Sequence, residues 1–270
     1  MKPIAEVLKL SSEFLAERKI ERPRRLAEDL LSHVLKLKRM DLYLQFDKPV
    51  VEAELSIVRD FLRRCGKGEP FEYVAGEVEF FGCKIKVDRS VLIPRPETEI
   101  LVEMISKKVR GGSLWDLCTG SGCIGIGLKK ARPELSVTLS DLSGDALSLA
   151  AQNAKLNGVD VEILQGDLLA PFQGRKVDCV VCNPPYISQG EYAHLDPSVR
   201  NFEPKLALVG GDRGTELYER LARELPACLN PGAQVFLEIG AGQGEAIKKL
   251  FPTGELHRDW AGHDRFLLIN

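Results

Sequence analysis

Asn183-Pro184-Pro185-Tyr186, which follows a run of apolar residues, is the segment of this sequence best suited to chemistry. Its prolines fix φ and carry no N–H, so the loop is stiff and its carbonyl groups stay free to accept hydrogen bonds. The Asn183 side-chain oxygen and the Pro184 carbonyl suit the two hydrogens of a planar –NH2 group, against which Tyr186 would stack. The alternative interpretation is a rigid turn that only packs the end of a strand.

A loop of this kind favours transfer of a group to a flat nitrogen. An amide nitrogen attacks poorly because its lone pair is delocalised into the carbonyl. Hydrogen bonds to both N–H groups would raise the electron density on nitrogen and align it with a methyl donor, and such positioning contributes roughly 7–11 kcal/mol in favourable cases. The proton can leave after transfer, so none of the four histidines (33, 194, 257 and 263) needs a catalytic role.

A second segment suited to ligand binding is Cys118-Thr119-Gly120-Ser121-Gly122, directly after the predicted strand Ser113–Leu117. Small residues after a strand let the backbone approach a ligand, and the next helix directs its N-terminal N–H groups to the same place. The spacing Gly120-x-Gly122-x-x-Gly125 is a weak signal alone, because dinucleotide-binding folds share it. A purely structural tight turn therefore stays open as an alternative.

Acidic residues accompany the ends of three successive predicted strands. Asp141 closes the second strand, where a carboxylate holds a ribose diol in nucleotide-binding sheets. Asp167 follows the third strand and would accept from an adenine amino group while Leu168 packs on the ring. Asp116, in the first strand, would lie near the positive end of a ligand. S-adenosylmethionine carries an ammonium and a sulfonium group, so three carboxylates suit it better than the pyrophosphate of NAD.

The elements that must position these residues fall into a helical region and an alternating region. Apolar residues at helical spacing predict helices over residues 3–64, one beginning near Pro23 and a third covering Glu52 to Arg64. β-type residues from Phe71 to Val87 predict a hairpin. The strand–helix–strand pattern that follows predicts a parallel sheet with helices on both faces. Its predicted strands are Ser113–Leu117, Ser136–Asp141, Val161–Gln165, Asp178–Cys182, Ala233–Ile239 and Phe266–Ile269.

Length and composition narrow the class of protein. The 270 residues suffice for one large domain and a small one. Without an apolar run of roughly 18 residues or a signal-peptide core, we expect a cytoplasmic protein that does not enter a membrane. Seven scattered cysteines fit a reducing compartment, and Cys179 and Cys182 lack the further ligands of a metal site, so none is expected. The net charge of −2 offers no broad basic surplus for duplex DNA.

Motifs follow one another in a specific order from about Glu69 to the C-terminus. They are Glu69-Pro70-Phe71, Glu79-Phe80-Phe81-Gly82, Leu92-Ile93-Pro94-Arg95-Pro96-Glu97-Thr98-Glu99, Asp116 to Gly122, Asp141, Asn183 to Tyr186, Phe202-Glu203-Pro204, Gly210-Gly211-Asp212 and Leu237-Glu238-Ile239-Gly240. In this set the chain resembles the PrmC/HemK family, the peptide chain release factor glutamine methyltransferases. The order is more specific than Asn-Pro-Pro-Tyr alone, which adenine-N6 methyltransferases share.

The resemblance implies an α/β fold: a Rossmann-like class I methyltransferase sheet with helices on both faces, a small N-terminal helical bundle and a connecting β-hairpin. The implied domains are a substrate-recognition domain over residues 1–68, a hairpin linker over 69–92 and a methyltransferase domain over 93–270. The implied reaction uses S-adenosylmethionine, leaves S-adenosylhomocysteine, and methylates N5 of the glutamine in the Gly-Gly-Gln motif of a class I peptide chain release factor.

The family's site residues carry over to two groups in this sequence. Asn183, Pro184 and Tyr186 would be catalytic, and the substrate would contact them together with Pro185, Arg95, Glu97 and Glu203. The cofactor would be bound by Asp116, Cys118, Thr119, Gly120, Ser121, Gly122, Asp141, Asp167, Leu168 and Asn183. Two residues depart from the family. Cys118 replaces the usual glycine, so its backbone must avoid the left-handed conformation or tolerate strain, and Leu168 replaces an aromatic residue of some members.

Four other functions stay open on the sequence. An adenine-N6 nucleic-acid methyltransferase would need a basic cleft, and we expect no direct sequence-specific binding of nucleic acid. A glutamine methyltransferase acting on a ribosomal protein would carry Pro-Arg-Ser-Pro where this chain has Pro94-Arg95-Pro96-Glu97. An NAD-dependent oxidoreductase would need a proton donor facing the nicotinamide. A non-catalytic protein-binding module would need none of these groups.

Overall fold

The structure, a computed structural model, describes residues 2–270, and these form two compact units. One unit comprises residues 2–76 together with Pro197–Phe202, and the other comprises Glu77–Asp196 and Glu203–Asn270. These limits divide the chain by packing, whereas the predicted limits at residues 68 and 92 divide it by function. The predicted domain limits therefore stay predictions.

The smaller unit is a bundle of short helices, as the apolar spacing predicts. Its helices are α1 (Ile4–Glu17), α2 (Pro23–Leu35), α3 (Arg39–Leu44), α4 (Glu52–Cys65) and α5 (Phe71–Ala75), beside the short antiparallel pair β1 (Lys2–Pro3) and β2 (Pro49–Val50). Leu8 and Leu15 of α1 and Leu30 and Leu31 of α2 are fully buried. They recur on one face of each helix, which is the pattern that builds a bundle core.

The region from Phe71 to Val87 corrects one part of the sequence prediction. Its first residues form α5 instead of a strand, and α5 ends at Gly76, whose φ of +76° suits a glycine. Burial of Tyr73 and Val74 on this single turn outweighs their β-propensity. The predicted hairpin is confirmed over a shorter range, with β3 (Glu77–Phe80) and β4 (Cys83–Lys86) paired antiparallel.

The larger unit contains the predicted parallel sheet. Its strands are β5 (Ser113–Leu117), β6 (Ser136–Asp141), β7 (Glu162–Gln165), β8 (Val177–Cys182), β9 (Ile187–Ser188), β10 (Val209–Gly211), β11 (Leu229–Glu238), β12 (Glu255–Arg258) and β13 (Asp264–Ile269). Seven of them form one sheet in the order β12-β13-β11-β8-β5-β6-β7. All neighbours in this sheet are parallel except β13, which pairs antiparallel with β11 and β12.

Helices cover both faces of this sheet, which confirms the predicted α/β fold. The helices of the larger unit are α6 (Pro96–Lys108), α7 (Cys123–Ala131), α8 (Gly144–Asn157), α9 (Gln189–Tyr192), α11 (Lys205–Leu208), α12 (Glu216–Glu224) and α13 (Gly244–Leu250), whereas α10 (Pro197–Arg200) belongs to the smaller unit. Trp115 packs in one cluster with Tyr218 of α12 and Ile247 of α13. Its neighbour Asp116 points to the opposite face and contacts Gly125 of α7, because side chains alternate along a strand.

All six predicted strands are present, with small shifts at their ends. The sequence prediction misses β12, whose residues Glu255, His257 and Arg258 give no apolar run. Edge strands are commonly charged, since charge discourages pairing with another chain. The helices α9 and α11 are also missed, because four residues are too few to show a periodic pattern.

Candidate active site

A cavity of about 510 Å³ lies at the carboxyl ends of β5, β6 and β8. Small-molecule sites ordinarily measure roughly 300–1,000 Å³, so this volume is ample for a nucleoside-sized ligand. Parallel strands bring the residues that follow them to one edge of the sheet, which is why distant segments of the sequence meet here. The predicted site residues that line the cavity are Arg95, Cys118, Thr119, Gly120, Ser121, Asp141, Asp167, Leu168, Asn183 and Pro185.

The other predicted site residues lie outside the lining of this cavity. They are Glu97, Asp116, Gly122, Pro184, Tyr186 and Glu203. Asp116, Pro184 and Glu203 are buried, whereas Glu97 and Tyr186 are half-buried. Their contacts with ligands stay predictions.

The glycine-rich segment forms a tight turn between β5 and α7. The N–H of Thr119 donates to the Ser140 carbonyl at 3.0 Å, and the N–H of Gly122 donates to the Thr119 carbonyl at 2.9 Å. Gly120 and Gly122 adopt φ values of +53° and +81°, which glycine reaches without steric cost. A side chain on Gly122 would in addition meet Ile126 at 2.8 Å. The turn thus brings bare backbone to the cavity.

Asp116 supports this turn from inside the protein. It is fully buried, and its Oδ2 accepts hydrogen bonds from the Thr119 hydroxyl at 2.6 Å and from the Gly125 N–H at 2.9 Å. Its Oδ1 has no hydrogen-bond partner among residues 2–270. Burial raises the pKa of Asp116 to about 7. The observed contacts make Asp116 an anchor of the glycine turn, and its predicted closeness to the charge of a ligand stays a prediction.

Asp141 presents its carboxylate to the cavity and also fastens the backbone around it. Its Oδ2 accepts from the Gly120 N–H at 2.8 Å, and its Oδ1 accepts from the Ser143 N–H at 2.9 Å. Burial raises the pKa of Asp141. Each carboxylate oxygen has more than one lone pair, so the group keeps acceptor capacity for a pair of hydroxyls.

Asp167 and Leu168 line the cavity next to Arg220 of α12. Arg220 donates to both carboxylate oxygens of Asp167, at 3.0 and 3.1 Å. From its place after the third strand, Asp167 is predicted to accept a hydrogen bond from an adenine amino group. The carboxylate would have to accept that hydrogen bond in addition to the two from Arg220. Leu168 is almost fully buried and has φ +48°, so its backbone is left-handed.

The left-handed conformation recurs at Cys118, where the sequence leaves two outcomes open. Cys118 has φ +54°, so the chain tolerates the strain that a glycine would avoid. For a residue with a side chain this conformation costs roughly 1–2 kcal/mol. Cys118 packs against the hydrophobic cluster that contains the buried Cys182, and burial raises the pKa of Cys182 well above its ordinary value. This contact helps to hold a strained residue at the cavity wall.

Asn183, the first residue of the predicted catalytic loop, lines the cavity where β8 ends. The residue before it, Cys182, is paired with Leu237, so Asn183 lies beside Glu238 at the end of the neighbouring strand β11, and a hydrogen bond from its side chain lowers the pKa of Glu238. Glu238 is almost fully buried, also accepts from the Thr98 hydroxyl at 2.8 Å, and has its pKa raised by burial to about 7. Pro185 shares the cavity, and the Tyr186 carbonyl accepts from the Gln243 side chain at 2.9 Å. Burial raises the pKa of Tyr186.

Arg95 and Glu203, both predicted to contact the substrate, are joined by an ion pair. Glu203 is almost fully buried and also accepts from the backbone N–H of Ile93 at 3.2 Å. Arg95 itself lines the cavity. Glu203 therefore ties the segment before α6 in place, and Arg95 is the member of the pair that faces the site.

Several residues at this site are not predicted from the sequence. Among them, Thr98, Leu142 and Arg220 line the cavity, and Glu238 lies beside Asn183. Thr98 and Glu238 lie inside motifs of the resemblance, but an isolated Thr or Glu gives no signal of its pairing. Leu142 directly follows Asp141, and its half-exposed apolar side chain would suit the face of a flat base.

These residues fit S-adenosylmethionine. The cavity has the volume of a nucleoside site, a backbone turn free of side chains at Gly120, and the carboxylate of Asp141 for a pair of hydroxyl groups. Among residues 2–270, no group of three or more His, Cys, Asp or Glu side chains is arranged to hold a metal ion. Nor does the described part of the chain contain a helix long and apolar enough to cross a membrane.

Two families of protein domains match the chain. Residues 6–76 match the PrmC N-terminal domain, and residues 95–197 match the methyltransferase small domain. The two matches correspond to the helical region and to the region that contains the glycine turn and Asn183.

Curated relatives are similar over nearly the full chain. The release factor glutamine methyltransferase of Chlamydia trachomatis serovar D is 40% identical over 98% of this chain and 93% of its own length. That of Bacillus cereus is 37% identical over 98% of both chains. That of Thermodesulfovibrio yellowstonii is 36% identical over 90% of this chain and 91% of its own.

Solved structures at lower identity share the fold. A methyltransferase from Pyrococcus furiosus superposes with a TM-score of 0.53 at 19% identity, over 70% of this chain and 88% of its own. The hMettl16 catalytic domain, solved in complex with an RNA hairpin, reaches 0.56 at 15% identity, over 81% of this chain and 80% of its own. These likenesses show the class I methyltransferase sheet, and the full-length relatives show more: the chain belongs to the family of release factor glutamine methyltransferases.

Proposed function

We propose that this methyltransferase modifies the side-chain amide nitrogen, N5, of the glutamine in the Gly-Gly-Gln motif of class I peptide chain release factors. The observation that carries the proposal is the position of Asn183, which lines the same cavity as the glycine turn and Asp141. A planar amide that contacts Asn183 would lie beside the ligand that the glycine turn and Asp141 bind. The family of full-length relatives supports the choice of substrate.

S-adenosylmethionine, the cofactor of this family, supplies the methyl group. We assign its binding to the residues named from the sequence, with distinct tasks. The backbone of residues 118–122 would receive the amino acid end, Asp141 the ribose hydroxyls, and Asp167 with Leu168 the base. Asp116 would act by holding the turn, since both hydrogen bonds of its Oδ2 go to the turn and to α7.

In the proposed reaction the catalytic loop binds the substrate amide. The Asn183 Oδ1 and the Pro184 carbonyl would each accept one N–H of the glutamine –NH2 group, and Tyr186 would pack against its plane. Two accepted hydrogen bonds raise electron density on the nitrogen and fix its direction. The proton leaves after transfer, so no residue needs to act as a strong base before it.

The remaining residues that are predicted to contact the substrate would cover the site. We propose that Arg95 and Glu97 cover the bound glutamine while Glu203 holds Arg95. We assign part of the recognition of the release factor to the helical unit, which matches the PrmC N-terminal domain. We further propose that the enzyme acts in the cytoplasm, where its substrate would function, and without direct sequence-specific binding of nucleic acid.

A methylation assay with labelled S-adenosylmethionine tests this function. A class I release factor, the same factor with Ala in place of the motif glutamine, DNA and RNA would be incubated with the full chain. We expect label only in the unaltered release factor, and mass spectrometry of its peptides should find one added CH2 on the motif glutamine. Label in DNA or RNA with none in the release factor would contradict the proposal.

The role of Asn183 is tested by Asn183→Ala beside the control Gln173→Ala, an exposed amide side chain away from the cavity. Loss of one group that stabilises a transition state typically lowers turnover by about 10²–10³. We expect a loss of this size for Asn183→Ala, no loss for the control, and little change in the dissociation constant of S-adenosylhomocysteine for either. Unchanged turnover in Asn183→Ala would refute the assignment. Tight binding of NADH without binding of S-adenosylhomocysteine would instead indicate an oxidoreductase.

A further inference from the structure

Glu238 is a buried acid that the proposed reaction does not use. It closes β11, and the pairing of Leu237 with Cys182 in the parallel ladder sets it beside Asn183, which follows β8. Only 2% of its surface is exposed. A carboxylate is costly to bury unless hydrogen bonds compensate it. The hydrogen-bond partners of Glu238 therefore indicate its role.

Two side chains meet the carboxylate of Glu238. The Thr98 hydroxyl of α6 donates to Oε2 at 2.8 Å. Asn183 lies beside Glu238 because the preceding residues, Cys182 and Leu237, are paired, and a hydrogen bond from its side chain lowers the pKa of Glu238. A carboxylate only accepts, so an ionised Glu238 must receive the –NH2 end of the Asn183 amide. The Asn183 Oδ1 is then turned away from Glu238, and Asn183 lines the cavity.

This arrangement resolves an ambiguity that every asparagine carries, since its amide can present either oxygen or nitrogen to a ligand. We propose that Glu238, anchored by Thr98, is a positioning residue that turns the Asn183 amide so that its oxygen faces the substrate –NH2 group. The inference rests on the proposed function and specifies how its catalytic asparagine is oriented. A flipped amide would set –NH2 against –NH2 and lose the hydrogen bond.

The ionisation state of Glu238 decides whether this orientation is enforced. Burial raises the pKa of Glu238 to about 7, opposed by the Thr98 and Asn183 hydrogen bonds. The charged and titratable groups around it are Glu97 of α6, Cys123 of α7, Arg265 of β13, Tyr186 after β8 and Tyr218 of α12. Once protonated, Glu238 can donate to the Asn183 oxygen, so both amide orientations become possible. Turnover should therefore fall as the pH drops below about 7.

The test combines Glu238→Gln with the matched pair Thr98→Val and Thr98→Ser. Glutamine has the size of glutamate but both donates and accepts, so it no longer selects one orientation. Partners that orient a ligand-contacting group typically contribute about 10- to 100-fold. We expect turnover on the release factor to fall by that range in Glu238→Gln, with the KM of both substrates little changed. The acid limb of the pH profile of this variant, which is the fall in turnover below about pH 7, should disappear. Thr98→Val should lower turnover, and Thr98→Ser, which keeps the hydroxyl, should restore it.

A double-mutant cycle separates positioning from support of the fold. If Glu238 acts through Asn183, then Glu238→Gln should add nothing to the loss already caused by Asn183→Ala. Additive losses, or a Glu238→Gln variant with wild-type turnover and an unchanged acid limb, would overturn the inference. Should Glu238→Gln fail to fold, equal turnover of the Val and Ser variants of Thr98 would overturn it too. Wild-type activity on the release factor is measured in the same experiment, so failure of the proposed function would be seen separately.

Discussion

The carboxylate of Asp141 accepts a hydrogen bond from the backbone N–H of Gly120 at 2.8 Å, which joins the end of β6 to the glycine turn after β5. Asp141 also lines the cavity, and its second carboxylate oxygen accepts a hydrogen bond from the Ser143 N–H. One side chain thus shapes the turn and faces the ligand site. Its removal should affect binding more than chemistry, because Asn183 lies on a different strand.

We predict that Asp141→Ala mainly weakens binding of the cofactor. Loss of a charge-assisted hydrogen bond costs roughly 1.5–3 kcal/mol, so the dissociation constant of S-adenosylhomocysteine should rise by the corresponding factor while turnover at saturation changes little. Calorimetric titration measures the first quantity and a saturated rate assay the second. Asp160→Ala, an exposed acid in the loop before β7, is the control and should match the wild type. A loss confined to turnover would reverse the roles given to Asp141 and Asn183.

Two glycines of α7 offer a matched test of packing under the turn. A Cβ on Gly125 would lie 2.3 Å from Leu139 Cδ2, whereas the nearest atom to a Cβ on Gly127 is Phe81 Cδ1 at 3.5 Å. Leu139 is fully buried, so it has little room to move. We predict that Gly125→Ala lowers the free energy of unfolding by about 1–3 kcal/mol, and that Gly127→Ala raises it by up to about 1 kcal/mol through helix propensity. Urea unfolding measures both, and similar stabilities for the two variants would contradict the packing described.

The strained backbone at Cys118 predicts how substitution by glycine and substitution by alanine differ in their effect on stability. Cys118→Gly and Cys118→Ala both lose the packing of the thiol against the cluster that contains Cys182, but only the first relieves the left-handed strain. We expect Cys118→Gly to be more stable than Cys118→Ala by about 1 kcal/mol. Thermal unfolding of the two variants side by side measures this difference. If the alanine variant were the more stable of the two, Cys118 would not be left-handed in solution.

Asp116 predicts how the stability of the fold depends on pH. Its pKa is raised to about 7 in the folded chain from an ordinary 3.8, so between these values the folded state holds a proton that the unfolded chain has released. The free energy of unfolding must then fall as the pH rises through this window. Asp116→Asn removes the ionisation, and its amide oxygen can still accept from Thr119 and Gly125.

We therefore expect Asp116→Asn to gain stability relative to the wild type as the pH rises from about 5 to about 8. A tenfold change in an acid's ionisation equilibrium is worth about 1.4 kcal/mol, so the gain should exceed about 1 kcal/mol. Urea unfolding at the two pH values measures it. A stability difference that stays constant over this range would show that Asp116 does not titrate there.

The sequence sufficed to predict the sheet and the residues that end its strands. Asp141 and Asn183 each end an apolar run, and the carboxyl ends of parallel strands meet at one edge, so their closeness follows from pattern alone. Pairings between side chains do not follow from it. Glu203 lies 108 residues from Arg95, and Glu238 lies 140 residues from Thr98. Such contacts depend on the register between strands and on helix placement, which no local periodicity encodes.

The central strand β8 has a further consequence for how this enzyme loses activity. Its last residue, Cys182, is paired with Leu117 of β5 on one side and with Leu237 of β11 on the other. Neighbouring strands stand about 4.8 Å apart in such a ladder. The strand that leads into the proposed catalytic loop is thus held on both sides by the main chains of its neighbours. Heat should abolish turnover only when the sheet itself comes apart.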